Sequence, residues 1–282
     1  LMTNNFDLIE TQWLAKNLEQ VIILDGSWYL PNQKRNPRRE FEEFHIPGSQ
    51  FFDIDMISDK NNSLPHMAPD SKTFDSHMSK LGIKNSDQII IYDGIGLQSA
   101  ARVWWTFKLF GHTKVGILNG GLPKWLSEEL PVEKKINIRS KSNYKSKLNK
   151  KLVRNYGEVY ENIISKKEQV IDARSKGRFL GIDPEPRKNL DSGHIPDSLN
   201  LPFQELILDS NKTLKSLDEI KKIFKEKGIT FKKPVVTTCG SGITASILAF
   251  CLHLIHFDKY SVYDGSWAEW GSIEGSPLIK DN

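Results

Sequence analysis

Short apolar runs recur along the chain at strand length. "VIILD" (21–25), "QIIIYD" (88–93), "KVGILNG" (114–120) and "PVVTT" (234–238) each hold few polar residues and end on a polar or glycine position. Runs apolar on every position, rather than on alternate ones, predict strands buried on both faces. Helix-like segments separate them. "TQWLAKNLE" (11–19) starts on a Thr expected to cap it, and "SLDEIKKIFKEKG" (216–228) has a Ser cap and a closing Gly. "TASILAFCLHLI" (244–255) reads as a helix with an apolar face. Strand–helix alternation predicts an α/β fold with mostly parallel sheets flanked by helices. Functional loops in such sheets lie beyond the carboxyl ends of the strands.

The pattern is written twice. "VIILDGSW" (21–28) echoes "QVIDARSKG" (169–177), each an apolar strand ending in Asp, Asp25 and Asp172. "HIPGSQFFDID" follows from His45 and "HIPDSLNLPF" from His194, 20 and 22 residues after those aspartates. Asp93 and Cys239 stand 48 and 45 residues beyond the histidines, and "NGGLPKW" (119–125) echoes "YDGSWAEW" (263–270). Four landmarks in one order at near-equal spacing indicate a duplicated domain of roughly 130 residues. The expected division is an N-terminal domain over 1–140, a linker over 141–155 in the Lys-rich run, and a C-terminal domain over 156–282. His45 and His194 occur in both halves, as do Asp25 and Asp172, which points to structural roles. Trp104, Trp105, Trp267 and Trp270 read as packing residues.

The joint after "PVVTT" is where chemistry is expected. Cys239 opens a turn in which Gly240 and Gly242 are expected to reach backbone angles closed to other residues. A loop curled this way at a helix N-terminus aims N–H groups from about 240 to 244 at one point, favouring a thiolate or a persulfide there. Cys251, in the middle of an apolar helix, reads as core. The matching joint in the first half carries Asp93, which cannot act as a sulfur nucleophile. One half is therefore expected to be catalytic and the other to shape the cleft.

Composition narrows the rest. The chain has 282 residues, 38% hydrophobic and 26% charged, with a net charge of +4. That charge, with no basic helix or aromatic-basic platform, gives no reason to expect nucleic acid. Two cysteines cannot build a disulfide framework, and no Cys/His cluster has metal-ligand spacing. No apolar run reaches membrane-spanning length and no signal-peptide pattern is present, so the cytoplasm is the expected compartment. A mitochondrial address stays open if a transit peptide was trimmed. Leu1, ahead of Met2, reads as an expression-vector remnant.

From "LDGSWYLP" to "YDGSWAEWG" the chain resembles the tandem-domain rhodanese family, in particular its mercaptopyruvate-type branch. The loop "CGSGIT" (239–244) differs from that branch's Cys-Gly-Ser-Gly-Val-Thr only at Ile243. Thiosulfate-type members carry two basic residues in this loop, and a related phosphatase would need a longer loop closed by Arg. The resemblance implies two rhodanese-like domains, the C-terminal one catalytic through Cys239, with Gly240, Gly242, Ile243 and Thr244 lining the substrate. It implies that Arg178 and Arg187 of "GRFLGIDPEPR" (177–187) grip the α-keto acid, a planar anion suited to guanidinium forks. It also implies a Cys-Ser-Asp arrangement of Cys239, Ser241 and Asp55, with His66 supporting the site from nearby. The implied reaction moves sulfur from 3-mercaptopyruvate to a thiol, such as reduced thioredoxin or a small thiol, or to cyanide. It passes through a Cys239 persulfide, with no metal or organic cofactor. Thiosulfate as donor, and a non-enzymatic persulfide carrier, remain the alternatives.

Overall fold

A computed structural model of the chain describes residues 6–281; Leu1 and Met2 lie outside the described residues. The chain forms two compact units. Unit 1 gathers the residues up to Asn61, Ala68–Asn149 and Leu208–Leu214; unit 2 gathers Asn62–Met67, Lys150–Ile207 and the residues from Lys215 onward.

Unit 1 runs β1 (Leu8–Ile9), α1 (Thr11–Lys16), β2 (Ile22–Asp25), α2 (Pro37–Glu43), β3 (Gln50–Phe51), α3 (Ser71–Lys80), β4 (Ile89–Tyr92), α4 (Ala100–Leu109), β5 (Val115–Leu118) and α5 (Gly121–Ser127). Unit 2 repeats the order: β6 (Val153–Arg154), α6 (Tyr156–Ser165), β7 (Gln169–Asp172), α7 (Lys176–Leu180), β8 (Leu199–Asn200), α8 (Leu217–Glu226), β9 (Val235–Thr238), α9 (Ala245–Leu254), β10 (Tyr260–Tyr263) and α10 (Ser266–Trp270). The sheets are ordered β1-β5-β4-β2-β3 and β6-β10-β9-β7-β8. Their pairings are parallel. This is the expected α/β fold, with a five-stranded parallel sheet in each unit.

The central strands β2, β4, β5, β9 and β10 are buried at every residue, as their unbroken apolar runs require. Ile23, Ile90, Leu118 and Trp125 anchor one core cluster, and Val170, Val236, Trp267 and Trp270 its counterpart. Each such side chain contributes roughly 1.5–3 kcal/mol on burial.

The repeat holds down to single hydrogen bonds. Gly26 N–H reaches the Tyr92 carbonyl at 2.8 Å, and Ala173 N–H reaches that of Thr238 at 2.9 Å. Trp125 Nε1 donates to the Pro131 carbonyl, and Trp270 Nε1 to that of Pro277, each at 2.8 Å. His45 stacks on Phe41 and His194 on Phe179, and each ring bonds that partner's carbonyl through Nδ1 at 2.7 Å.

Two local expectations change. Thr11 is the first residue of α1 rather than its cap; its hydroxyl donates to Glu128, and Glu10 sits at the cap position without a side-chain bond to the helix's N–H groups, its carboxylate accepting from Asn119 Nδ2 instead. Ser216 does cap α8, in a reciprocal box with Glu219. The Lys-rich run expected as a linker is packed along unit 1 over its first half. Tyr144 is buried against Phe74, and the N–H groups of Ser142, Lys147 and Asn149 bond the carbonyls of Ser79, Phe110 and Leu109. One apolar anchor offsets the surrounding lysines.

Candidate active site

Cys239 follows β9 directly and is 2% exposed. Its backbone is held from both sides. Its carbonyl accepts from Trp267 N–H at 2.9 Å, and the Gly240 carbonyl accepts from Ala268 N–H at 2.8 Å. The Cys239 N–H donates to Ser266 Oγ at 3.2 Å, while that hydroxyl donates to the Tyr263 carbonyl at 2.8 Å. The sulfur points into the turn, where Gly242 N–H donates to Sγ at 3.1 Å.

The two loop glycines have different reasons. Gly242 has φ +84°, the left-handed conformation expected. Gly240 does not; it is needed for space. A Cβ there would stand 2.9 Å from Arg178 Nη2 and 3.7 Å from Arg187 Nη1. The same distances bring both expected arginines to the cysteine turn.

Arg178 is fixed by a network the sequence did not reveal. Its Nη2 donates to Glu185 Oε2 at 2.6 Å, and Arg174 Nη1 donates to Glu185 Oε1 at 2.6 Å. Arg174 also grips both oxygens of Asp172, bonds the Gly193 carbonyl at 2.7 Å and lies 4.4 Å over the Trp267 ring. Asp172, Arg174 and Glu185 are almost fully buried, whereas Arg178 is partly open to solvent. Buried charges persist only when paired this completely. The chain Asp172–Arg174–Glu185–Arg178 thus ties the end of β7 to the guanidinium above Gly240.

The other expected residues are distributed as follows. Ser241 is buried, and its carbonyl accepts from His66 Nε2 at 3.1 Å, so His66 supports the turn's backbone. Ile243 is buried, and Thr244 occupies the cap position of α9 without a side-chain cap bond. Asp55 belongs to unit 1, where its carboxylate accepts from Trp28 Nε1 at 2.9 Å. Cys251 is fully buried, and burial pushes its thiol far up, which makes it inert.

Ser266 is a further residue that the sequence reading passed over. It has φ +52°, where its repeat counterpart Gly121 has φ +53°. A serine there carries about 1 kcal/mol or more of backbone strain. Its hydroxyl uses that conformation to hold the Cys239 N–H. The aligned "NGG" and "DGS" (119–121 and 264–266) were the available signal.

Asp93 occupies the matching turn of unit 1. Its Oδ1 accepts from the N–H groups of Ile95 and Gly96, each at 2.9 Å, and its Oδ2 from Gln98 and Ala100, each at 2.8 Å. Such a loop is therefore able to hold a two-atom anion.

Among the described residues no helix is long and apolar enough to cross a membrane, and no group of three His, Cys, Asp or Glu is arranged to hold a metal ion.

Comparison with known proteins agrees with this architecture. The model of the rhodanese-like domain matches residues 10–128 and 155–273. The chain is 42% identical over 294 residues to Arabidopsis thaliana thiosulfate/3-mercaptopyruvate sulfurtransferase 1, mitochondrial, covering 96% of this chain and 77% of that protein. It is 41% identical over 271 residues to human 3-mercaptopyruvate sulfurtransferase, covering 93% and 91%. The crystal structure of Escherichia coli SseA, described as a 3-mercaptopyruvate sulfotransferase of the rhodanese fold, superposes with a TM-score of 0.84 at 35% identity, over 93% of this chain and 99% of that one. With both units matched and these identities extending over nearly its whole length, the chain belongs to the rhodanese family, as a tandem of two rhodanese-like domains.

Proposed function

We propose that the protein is a 3-mercaptopyruvate sulfurtransferase acting through Cys239. The observation that carries this reading is the cysteine turn with two guanidinium groups beside it and no basic residue within it. The Cys239 thiolate attacks the sulfur of 3-mercaptopyruvate. The carbon–sulfur bond breaks, and its electron pair passes to carbon as the enolate of pyruvate. Arg178 and Arg187 hold the keto-acid and oppose the charge that develops on it. The proton from the transferred sulfur is relayed through the Ser241 hydroxyl to the enolate, which leaves as pyruvate. Asp55 is the carboxylate that the family resemblance pairs with Ser241, and His66 steadies the turn.

The outer sulfur remains on Cys239 as a persulfide. An acceptor thiolate, from reduced thioredoxin or a small thiol, then takes it and returns the Cys239 thiolate; cyanide serves in an assay. Asp93 supports the persulfide step by analogy, since its turn holds two oxygens by backbone N–H groups alone. A thiol acceptor fits a reducing compartment, and the cytoplasm is the proposed one.

Thiosulfate is the second candidate donor, because two Arabidopsis thaliana relatives carry both donors in their names. The neutral turn favours the monoanionic keto acid over a dianion. The deciding experiment measures turnover with each donor and one cyanide acceptor, with Cys239→Ser as control. Strong preference for mercaptopyruvate and a dead control support the proposal; preference for thiosulfate overturns the donor assignment. Donor-treated protein should gain one sulfur atom, about 32 Da. An adduct that survives Cys239→Ser would sink the persulfide route.

A further inference from the structure

Unit 1 contains a cavity of about 420 Å³ at the carboxyl ends of β2 and β4. It occupies the place in the repeat that the cysteine turn occupies in unit 2, for Gly94 in its wall is the counterpart of Gly240. Its size falls within the range of small-molecule sites. Sulfur chemistry is closed to it, since Asp93 is fully buried and its carboxylate is consumed by four backbone N–H groups.

The cavity has a built rim and a charged floor. At the rim Arg35 stacks 3.9 Å over the Tyr29 ring, and Arg35 and Tyr29 both bond Glu40, at 2.7 to 2.8 Å. The charge of Arg35 is thereby matched already, so an arriving anion finds little to gain there. At the floor lies Asp25, 3% exposed, with Oδ1 accepting from Ser27 N–H at 2.9 Å. In unit 2 the same strand end carries Asp172, whose Oδ1 likewise accepts from Arg174 N–H at 2.9 Å. There the Arg174 side chain then folds back and grips both carboxylate oxygens. In unit 1 that side chain is replaced by Ser27, which lines the cavity beside Asp25. The repeat has kept the buried carboxylate and removed its cation, and space lies beside it. Phe41, Leu122 and Leu126 supply an apolar wall.

We propose that this cavity is a binding site for a small guanidinium or amidinium cation. Its planar head bonds Asp25 where Arg174 bonds Asp172, and its body packs on Phe41, Leu122 and Leu126. The nearby negative charge of Asp93 adds to the attraction for a cation. A planar fork on a carboxylate is also the strongest geometry for such a pair.

The test titrates the full chain calorimetrically above pH 7, where the Asp25 carboxyl is ionised, with benzamidinium, benzamide and benzoate, which share one ring and differ in the charge of the head. The site-specific component is the binding removed by Ser27→Arg, which restores the cation of unit 2 and fills the space. Benzamidinium is expected to show saturable binding of this kind, with benzamide and benzoate weaker by about tenfold or more, the size of one charge-assisted hydrogen bond. Asp25→Asn is expected to weaken benzamidinium to the same degree, and it serves alone if Ser27→Arg does not fold. Equal binding of the three probes, no benzamidinium binding, or binding untouched by either substitution would overturn the proposal.

Discussion

The turns after β4 and β9 are built on one plan and end in opposite chemistry. In unit 1 the side chain at the joint is itself an anion, and Asp93 uses up the inward N–H groups with its two oxygens. In unit 2 the side chain is a thiol, which brings one sulfur atom and takes the Gly242 N–H. A turn filled by its own carboxylate is a stable structural element. A turn occupied by a single sulfur is one that gains from a second anionic atom. The difference between scaffold and catalyst comes down to what fills the turn, and also to what backs it. Asp172 is tied through Arg174 and Glu185 to Arg178, whereas Asp25 has Ser27 in place of the arginine.

The largest effect is expected from making unit 2 resemble unit 1. Cys239→Asp should remove sulfur transfer by about 10³-fold or more, because the nucleophile is gone. Its melting temperature should not fall, since the new carboxylate meets the kind of N–H array that Asp93 uses. Melting by calorimetry beside a turnover assay checks both. A variant that is inactive and also strongly destabilised would show that the two turns are not interchangeable. The reciprocal change, Asp93→Ala, strands buried N–H donors at a cost of about 1–3 kcal/mol each. It should lower stability with the persulfide still forming on Cys239.

Glu185→Gln comes next. It removes one buried charge and leaves Arg174 and Arg178 without their shared partner, a loss of about 3 kcal/mol or more. Arg178 then loses its fixed position above Gly240. KM for the keto acid should rise about tenfold with a smaller change in kcat, and Glu185→Asp should recover part of it. A change in stability with KM untouched would limit Glu185 to a structural role.

These differences explain what could be read from the chain alone. The strands were legible because strands buried on both faces leave unbroken apolar runs, and the repeat because it preserves spacing. The cysteine turn was legible because a cysteine and two glycines at a strand-to-helix joint form a local signal. The Arg174–Glu185–Arg178 network was not, because charges eleven and seven residues apart, on the short helix α7 and the loops at its two ends, look like solvated surface until the fold buries them. The need for glycine at position 240 comes from a neighbouring arginine tip rather than from its own backbone. Ser266 hides its left-handed conformation, which shows only when it is set against Gly121.

Acid–base behaviour offers a sharper test of the Ser27 and Arg174 difference. Burial, with Asp93 adding to it against the hydrogen bonds from Ser27 and Tyr92, raises the Asp25 carboxyl from its ordinary 3.8 to about 7. The folded state therefore holds a proton that the unfolded state releases between these values. Its stabilising contribution is full below pH 3.8, is lost as pH rises to about 7, and is flat above. Between pH 5 and 7 the melting temperature of unit 1 should fall by about several degrees from this group, and Asp25→Asn should remove that slope. A slope that survives Asp25→Asn would assign it to other groups.

The smallest effects separate the two glycines of the turn. Gly242→Ala places a Cβ on a residue with φ +84° and should cost about 1 kcal/mol of stability. Gly240→Ala carries no such backbone penalty. Its Cβ would stand 2.9 Å from Arg178 Nη2, and that guanidinium is held by Glu185. The side chain must give way, so the loss should appear in keto-acid binding, as a higher KM at nearly unchanged melting temperature. Each glycine thus reports a different feature of the cysteine turn, one its curl and the other its arginine. If Gly240→Ala lowered stability and left KM alone, Arg178 would not be the group that the turn makes room for.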